Sequence, residues 1–155
     1  MNNYDSEEIL NLMKERRSVR SFEDKEIEPE KLEKILEAAR WSQSANNAQP
    51  WRLIVIKNSK TLKKLAKAAP YGPFLKEAPL ALAIVAKKGI APKWHLHDTC
   101  ILSQQVCLMA WALGIGTCWI GSMDRQKGAK ILNLEKKEYL TTVLPLGYPK
   151  GNTGT

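Results

Sequence analysis

The chain opens with two stretches in which apolar residues recur at i, i+3 and i+4, the spacing of one helix face. In the first, Asp5 or Ser6 begins the helix and Glu8 stands in capping-box spacing to Asp5. Ile9, Leu10, Leu12 and Met13 form its apolar stripe, and the pattern ends near Arg17. In the second, Pro29 suits the first turn, and Leu32, Ile35, Leu36 and Ala39 repeat up to about Trp41. Residues 42–50, Ser-Gln-Ser-Ala-Asn-Asn-Ala-Gln-Pro, are small or amide-bearing and break the period, so they predict a loop. A strand follows directly at residues 51–56.

Ser59 can cap a short helix that buries Leu62, Leu65, Ala66 and Ala69 and turns Lys60, Lys63, Lys64 and Lys67 outward. Tyr71-Gly-Pro-Phe reads as a turn, and residues 80–86, apolar without interruption, as an internal strand. A long helix over residues 95–113 is apolar nearly all round, through Ile101, Leu102, Val106, Leu108, Met109, Trp111 and Leu113. That suits a central helix covered by sheet and by a partner subunit. Gly114 ends it as a left-handed cap. Residues 117–120 predict a short strand, Asp124 caps a helix to about Leu132, and residues 139–146 predict the last strand. Two helices precede the first of four strands, so regular doubly wound alternation fits poorly and the fold class is α+β.

The 155 residues carry neither repeat nor linker and predict a single domain spanning 1–155. A content of 44% hydrophobic and 26% charged residues excludes a mainly disordered or collagenous chain. No run approaches the roughly 20 apolar residues that span a bilayer, and no basic-then-apolar leader follows Met1, so no membrane partner is expected and the cytoplasm is the expected compartment. Cys100, Cys107 and Cys118 lack paired spacing, which fits reduced thiols. The net charge of +8 is concentrated: residues 57–93 hold nine Lys against one acid, Glu77. Such a field favours anionic partners without choosing among them.

Two clusters carry candidate chemistry. Arg16-Arg-Ser-Val-Arg20 places three guanidinium groups and a hydroxyl just after a helix, and guanidinium forks match phosphate oxygens. Taken alone, such a pentapeptide is also an ordinary solvated helix end. Between Ser42 and Trp51, two Asn and two Gln fall within a few positions. Their amides donate and accept at once, as the mixed edge of a flat heterocycle requires, although an amide-rich turn has the same composition.

Together these segments resemble the nitroreductase family of FMN-dependent oxidoreductases. The resemblance runs through Arg-Arg-Ser-Val-Arg-Ser-Phe, a helix with Ala38-Ala39, Ser44-Ala-Asn-Asn-Ala-Gln-Pro-Trp51 and an immediate strand. It continues through Asp98-Thr-Cys, then Leu113-Gly-Ile-Gly-Thr-Cys-Trp-Ile-Gly121, then Leu144-Pro-Leu-Gly-Tyr-Pro149, covering about residues 9–149 in the family's order. The resemblance implies a central, mostly antiparallel four-stranded sheet flanked by helices in a homodimer, with FMN at the subunit interface. It implies that Arg16, Arg17 and Ser18 hold the FMN phosphate and ribityl chain and that Arg20 reaches the pyrimidine edge of the ring. A fixed cation there stabilises the negative charge left by two-electron reduction, so Arg20 tunes the flavin while no side chain is itself catalytic. Asn47 would bond the ring's polar edge, with Ser44 and Gln49 shaping the loop. Ile120 and Gly121 would bring backbone close to the ring, and Lys150 is the candidate basic residue for the phosphate beyond the last strand, before a tail expected to fray.

The implied activity is hydride transfer from NADH or NADPH to a small-molecule acceptor, nitroaromatic, quinone or similar, by ping-pong turnover. The alternative is a flavin-binding protein without turnover, a redox sensor or FMN carrier. Nicotinamide would bind transiently, because no glycine-rich loop of Rossmann or Walker spacing is present. The five tryptophans and the all-round apolar helix are much for this length to bury alone, which also points to a dimer. Rival signals are weaker. His95, His97, Cys100 and Cys107 lack the paired spacing of zinc sites, so no metal is expected. Cys107 and Cys118 sit in apolar surroundings that favour core packing over nucleophilic roles. No aromatic residues interleave with the lysines, so no nucleic acid partner is expected.

Overall fold

The computed structural model describes residues 4–151, so the tail expected to fray lies, from residue 152 on, outside the described residues. Along the chain run α1 (Ser6–Glu15), α2 (Pro29–Arg40), β1 (Trp51–Ile56), α3 (Ser59–Lys67), β2 (Leu80–Lys87), α4 (His95–Ala112), β3 (Gly116–Thr117), α5 (Arg125–Ile131) and β4 (Glu138–Gly147). The strands form one sheet in the order β1-β2-β4-β3, with every neighbouring pair antiparallel. The α+β class and the four-stranded sheet are as expected.

β2 is internal because its whole surface is apolar. Successive side chains leave a strand on opposite faces. Leu80, Leu82 and Ile84 therefore join a core with Ile35 of α2 and Leu102 and Val106 of α4. Ala81, Ala83 and Val85 join a second core with Leu62 and Leu65 of α3 and, at its edge, Ile131 of α5. The sheet is thus sandwiched between helices.

Several expectations need correction. Asp5 caps α1, but its carboxylate accepts the N–H of Glu7 at 2.8 Å, and the helix ends at Glu15. None of its residues is buried: α1 meets α4, but among the described residues no element covers Ile9, Leu10 and Met13, which stay exposed. α3 is capped by Asn58, whose side chain accepts the Thr61 N–H at 3.0 Å, and Ser59 is the first helical residue. α4 is covered only in part, leaving Leu96 and Ile101 exposed, and none of the five tryptophans is buried. The third strand is Gly116–Thr117, not 117–120. Thr117 pairs with Leu146, so the next rung would fall opposite Pro145, which has no N–H to give. Residues 118–121 therefore leave the ladder, which frees them to border a cavity. Gly114 (φ +76°) and the Asp124 cap on Lys127 are as expected.

Two glycines let the arginine segment lie flat against this end of the sheet. A Cβ on Gly116 would stand 2.5 Å from Val19 Cγ2, and one on Gly147 would stand 2.8 Å from the Phe22 ring and from Pro79. The segment is stitched on by bridges from Ser18 to Thr117 and from Phe22 to Pro149.

Candidate functional site

The Val19 N–H donates to the Thr117 carbonyl at 2.8 Å, and the Val19 side chain is buried. Extended backbone alternates, so the neighbours Ser18 and Arg20 take the opposite, exposed face. Both lie against the thiol of Cys118: burial pushes that thiol up, while the charge of Arg20, a hydrogen bond from Ser18 and the charge of Arg16 pull the other way. Burial also raises Cys107, against a hydrogen bond to Thr117 and the Arg16 charge. Both stay protonated thiols at neutral pH, which suits packing beneath an anion site and not nucleophilic attack. Arg17 bonds the carbonyls of Lys14 and Arg16 through Nη1, closing the end of α1. The Lys150 N–H donates to the Ser21 carbonyl at 3.0 Å, which puts this lysine beside the same segment.

A cavity of about 140 Å³ opens next to Arg20, lined also by Tyr71, Phe74, Trp119, Ile120 and Gly121, with Cys118 and Ser122. Here three expected residues, Arg20, Ile120 and Gly121, meet. A Cβ on Gly121 would touch only the Trp119 side chain, at 3.8 Å, and its φ is not left-handed. Neither packing nor backbone conformation requires glycine there, so the missing methyl leaves room for something in the cavity. A cation, exposed aromatic edges and open backbone fit a flat heterocycle with polar edges.

The Ser44–Gln49 loop is built separately. Around a 3₁₀ turn at Ala45–Asn47, three non-glycine residues are left-handed: Asn46 (φ 54°), Asn47 (φ 52°) and Gln49 (φ 48°). Such conformations cost about 1–3 kcal/mol each and persist only where surroundings enforce them. The enforcing contacts are Gln49 N–H to Ser44 Oγ at 2.9 Å, Gln49 Nε2 to Asn47 Oδ1 at 3.0 Å, and Ala45 N–H to Asp98 Oδ1 at 3.1 Å. The loop borders a second cavity of about 310 Å³, closed by Ile90, Pro92, Lys93 and Trp94. Among the described residues no hydrogen bond joins this loop to the arginine segment.

Two gripping residues have no role in the expected set. Asp98 is 3% exposed, and Arg125 Nη2 donates to the Gly121 carbonyl at 3.0 Å. An acid in a mostly apolar helix is the signal for Asp98; for Arg125 the signal is a cation directly after the Asp124 cap. Among the described residues, no three His, Cys, Asp or Glu side chains are grouped to hold a metal, and no helix is long and apolar enough to cross a membrane. Lys60, Lys63, Lys64 and Lys67 stand exposed on α3, while Lys57, Lys87 and Lys93 border three different cavities. The lysine excess is therefore scattered.

The fold is that of a family of oxidoreductases. The model of the nitroreductase family matches residues 13–70 and 68–148. A Methanothermobacter thermautotrophicus protein named "Putative NADH dehydrogenase/NAD(P)H nitroreductase" is 35% identical over 96% of this chain and 81% of its own length. An "FMN reductase [NAD(P)H]" of Bacillus subtilis is 26% identical over 92% of this chain and 66% of its own length. Among solved structures, an FMN-dependent nitroreductase from Clostridium difficile R20291 superposes with a TM-score of 0.88 at 30% identity, covering 92% of this chain and 88% of that one. The chain belongs to the nitroreductase family.

Proposed function

We propose that the chain is a single-domain FMN oxidoreductase that takes hydride from NADH or NADPH and reduces a nitroaromatic, quinone or similar acceptor by ping-pong turnover. FMN, when bound, supplies the hydride-accepting ring. This chain's residues hold and tune that ring: Arg16, Arg17, Ser18 and Lys150 on the phosphate and ribityl side, Arg20 at the polar edge, and Ile120 and Gly121 along one face. The observation that carries the reading is the cavity where Arg20 meets Gly121. A guanidinium beside an open backbone is what a ring that gains negative charge needs.

The Ser44, Asn47 and Gln49 loop serves the second site of a homodimer, in which each cavity is completed by a second protomer. Supporting this are the uncovered apolar side chains of α1, the exposed Leu96 and Ile101 of α4, and Trp41, which is 72% exposed. Three free cysteines fit the cytoplasm.

The test is to purify the protein, titrate it with FMN, size it, and follow NAD(P)H oxidation with a quinone. Flavin uptake by a dimer and quinone-dependent turnover are expected. Uptake without turnover would assign the flavin carrier or sensor instead, and a protein that takes up no flavin would sink both.

A further inference from the structure

Among the described residues, two buried side-chain polar atoms lack a hydrogen-bond partner, Asp98 Oδ2 and Arg125 Nε. Native proteins leave few such atoms, and each asks for a reason. Arg125 breaks a second rule: it is the first residue of α5, where the positive end of the helix dipole disfavours a cation. What it gains there is a grip on backbone. Its Nη2 donates to the Gly121 carbonyl at 3.0 Å and approaches the Thr141 carbonyl at 3.4 Å, while its guanidinium lies 5.9 Å from the centre of the Tyr139 ring.

The preceding peptide is gripped as well. The buried Thr142 Oγ1, on β4, donates to the Ile120 carbonyl at 3.1 Å. In a trans peptide the C=O and the N–H point in opposite directions. The Ile120 carbonyl shares its peptide with the Gly121 N–H, and the Gly121 carbonyl shares its peptide with the Ser122 N–H. With both carbonyls held from behind, both N–H groups are turned away from the sheet. Neither N–H has a partner among the described residues, and Gly121 and Ser122 both border the Arg20 cavity.

We propose that Arg125 and Thr142 are positioning residues: by holding the Gly121 and Ile120 carbonyls they aim two backbone N–H donors at an acceptor atom of the ring bound beside Arg20. This rests on the FMN reading above. The two side chains act from rigid elements, the end of α5 and the body of β4, and preorganised donors need no rearrangement when the ligand arrives. Loss of either grip lets its peptide rotate, and the donor is lost to solvent without any change in the cavity's own side chains.

The test uses Arg125→Ala, Arg125→Lys, Thr142→Val and Thr142→Ser in the full chain, each measured for apoprotein melting, FMN dissociation constant and visible absorption of the bound flavin. Arg125→Ala and Thr142→Val are expected to bind FMN at least fivefold more weakly, with the flavin band moved toward that of free FMN. Thr142→Ser restores both readouts and Arg125→Lys restores them in part. Should Arg125→Ala not fold, the Thr142 pair decides alone. Folded variants with wild-type affinity and spectrum overturn the proposal even if they melt earlier. A wild-type chain that takes up no FMN overturns the FMN reading and this inference together, whereas wild-type uptake with indifferent variants overturns this inference alone.

Discussion

The carboxylate of Asp98, in the first turn of α4, accepts the N–H of Ala45, 53 positions earlier, at 3.1 Å. It is the one tertiary hydrogen bond from a side chain into the Ser44–Gln49 loop among the described residues, and that loop carries three left-handed non-glycine residues. Asp98→Ala should therefore release the loop. A hydrogen bond to a charged group contributes about 1.5–3 kcal/mol, so FMN affinity is expected to fall roughly tenfold or more. Asp98→Asn keeps an oxygen acceptor and should retain most of the affinity. Fluorescence titration of FMN against the three proteins checks this, and equal affinities would remove the role of Asp98.

Two glycines on one short segment separate stability from binding. Gly116→Ala places a methyl 2.5 Å from the buried Val19 side chain. Overpacking of this kind costs about 1–3 kcal/mol, and each kcal/mol lowers Tm by roughly 2–4 °C at this size. Gly121→Ala meets only the Trp119 side chain at 3.8 Å, so Tm should stay within a degree or so of wild type while FMN binding weakens. Calorimetry with a flavin titration distinguishes the two. A Gly121→Ala protein that binds FMN normally would place the ring elsewhere.

Arg20 stands exposed at the rim of its cavity, with its neighbour Val19 anchored behind it. Its charge matters most when the ring carries negative charge, not when the oxidised cofactor binds. Arg20→Ala should slow reduction by NAD(P)H in stopped-flow traces by a larger factor than it weakens FMN binding. Equal reduction rates would refute this.

At the opposite end of the sheet, Arg52 forks onto Glu138 with contacts of 2.8 and 2.7 Å, and the Glu138 side chain is 6% exposed. The Arg52 hydrogen bond holds the Glu138 carboxyl below its usual 4.5. A depressed carboxylate contributes stability that is present above the unfolded value and lost as pH falls through the folded one. Urea midpoints should therefore drop below about pH 4.5, and Glu138→Gln should flatten that drop while lowering stability at pH 7. An unchanged acid slope in Glu138→Gln would assign the acid sensitivity to other carboxylates.

Dimerisation and cofactor retention should fail together. Ile101 is exposed on α4, and Ile101→Glu puts a charge on the face expected to meet the second protomer. Analytical ultracentrifugation should show monomer, with FMN lost at the same protein concentrations. A monomer that keeps its flavin would show that one chain completes the site.

Local chemistry made much of the fold legible. The unbroken apolar run that became β2, the Pro29 start of α2, the Gly114 cap and the Asp124 cap each depend on a few adjacent residues. The failures have tertiary causes. The third strand stops early because Pro145, on another strand, offers no N–H. The α1 stripe is apolar, but burial depends on what covers it, and among the described residues no element covers Ile9, Leu10 and Met13.

For the site, the sequence by itself determined which residue types were available: the Arg16–Arg20 guanidiniums, the amide-rich loop, and a glycine after Ile120. Only the tertiary structure decided which of them meet. It brought Arg20 to Gly121, left Asn47 and Gln49 on a separately pinned loop, and recruited Asp98, Arg125 and Thr142 from other elements. The physical reason is range. Side-chain chemistry and helix periodicity act over a few residues of chain, whereas the grip on a backbone carbonyl depends on where a distant strand or helix end comes to rest, which the packing of the whole sheet sets.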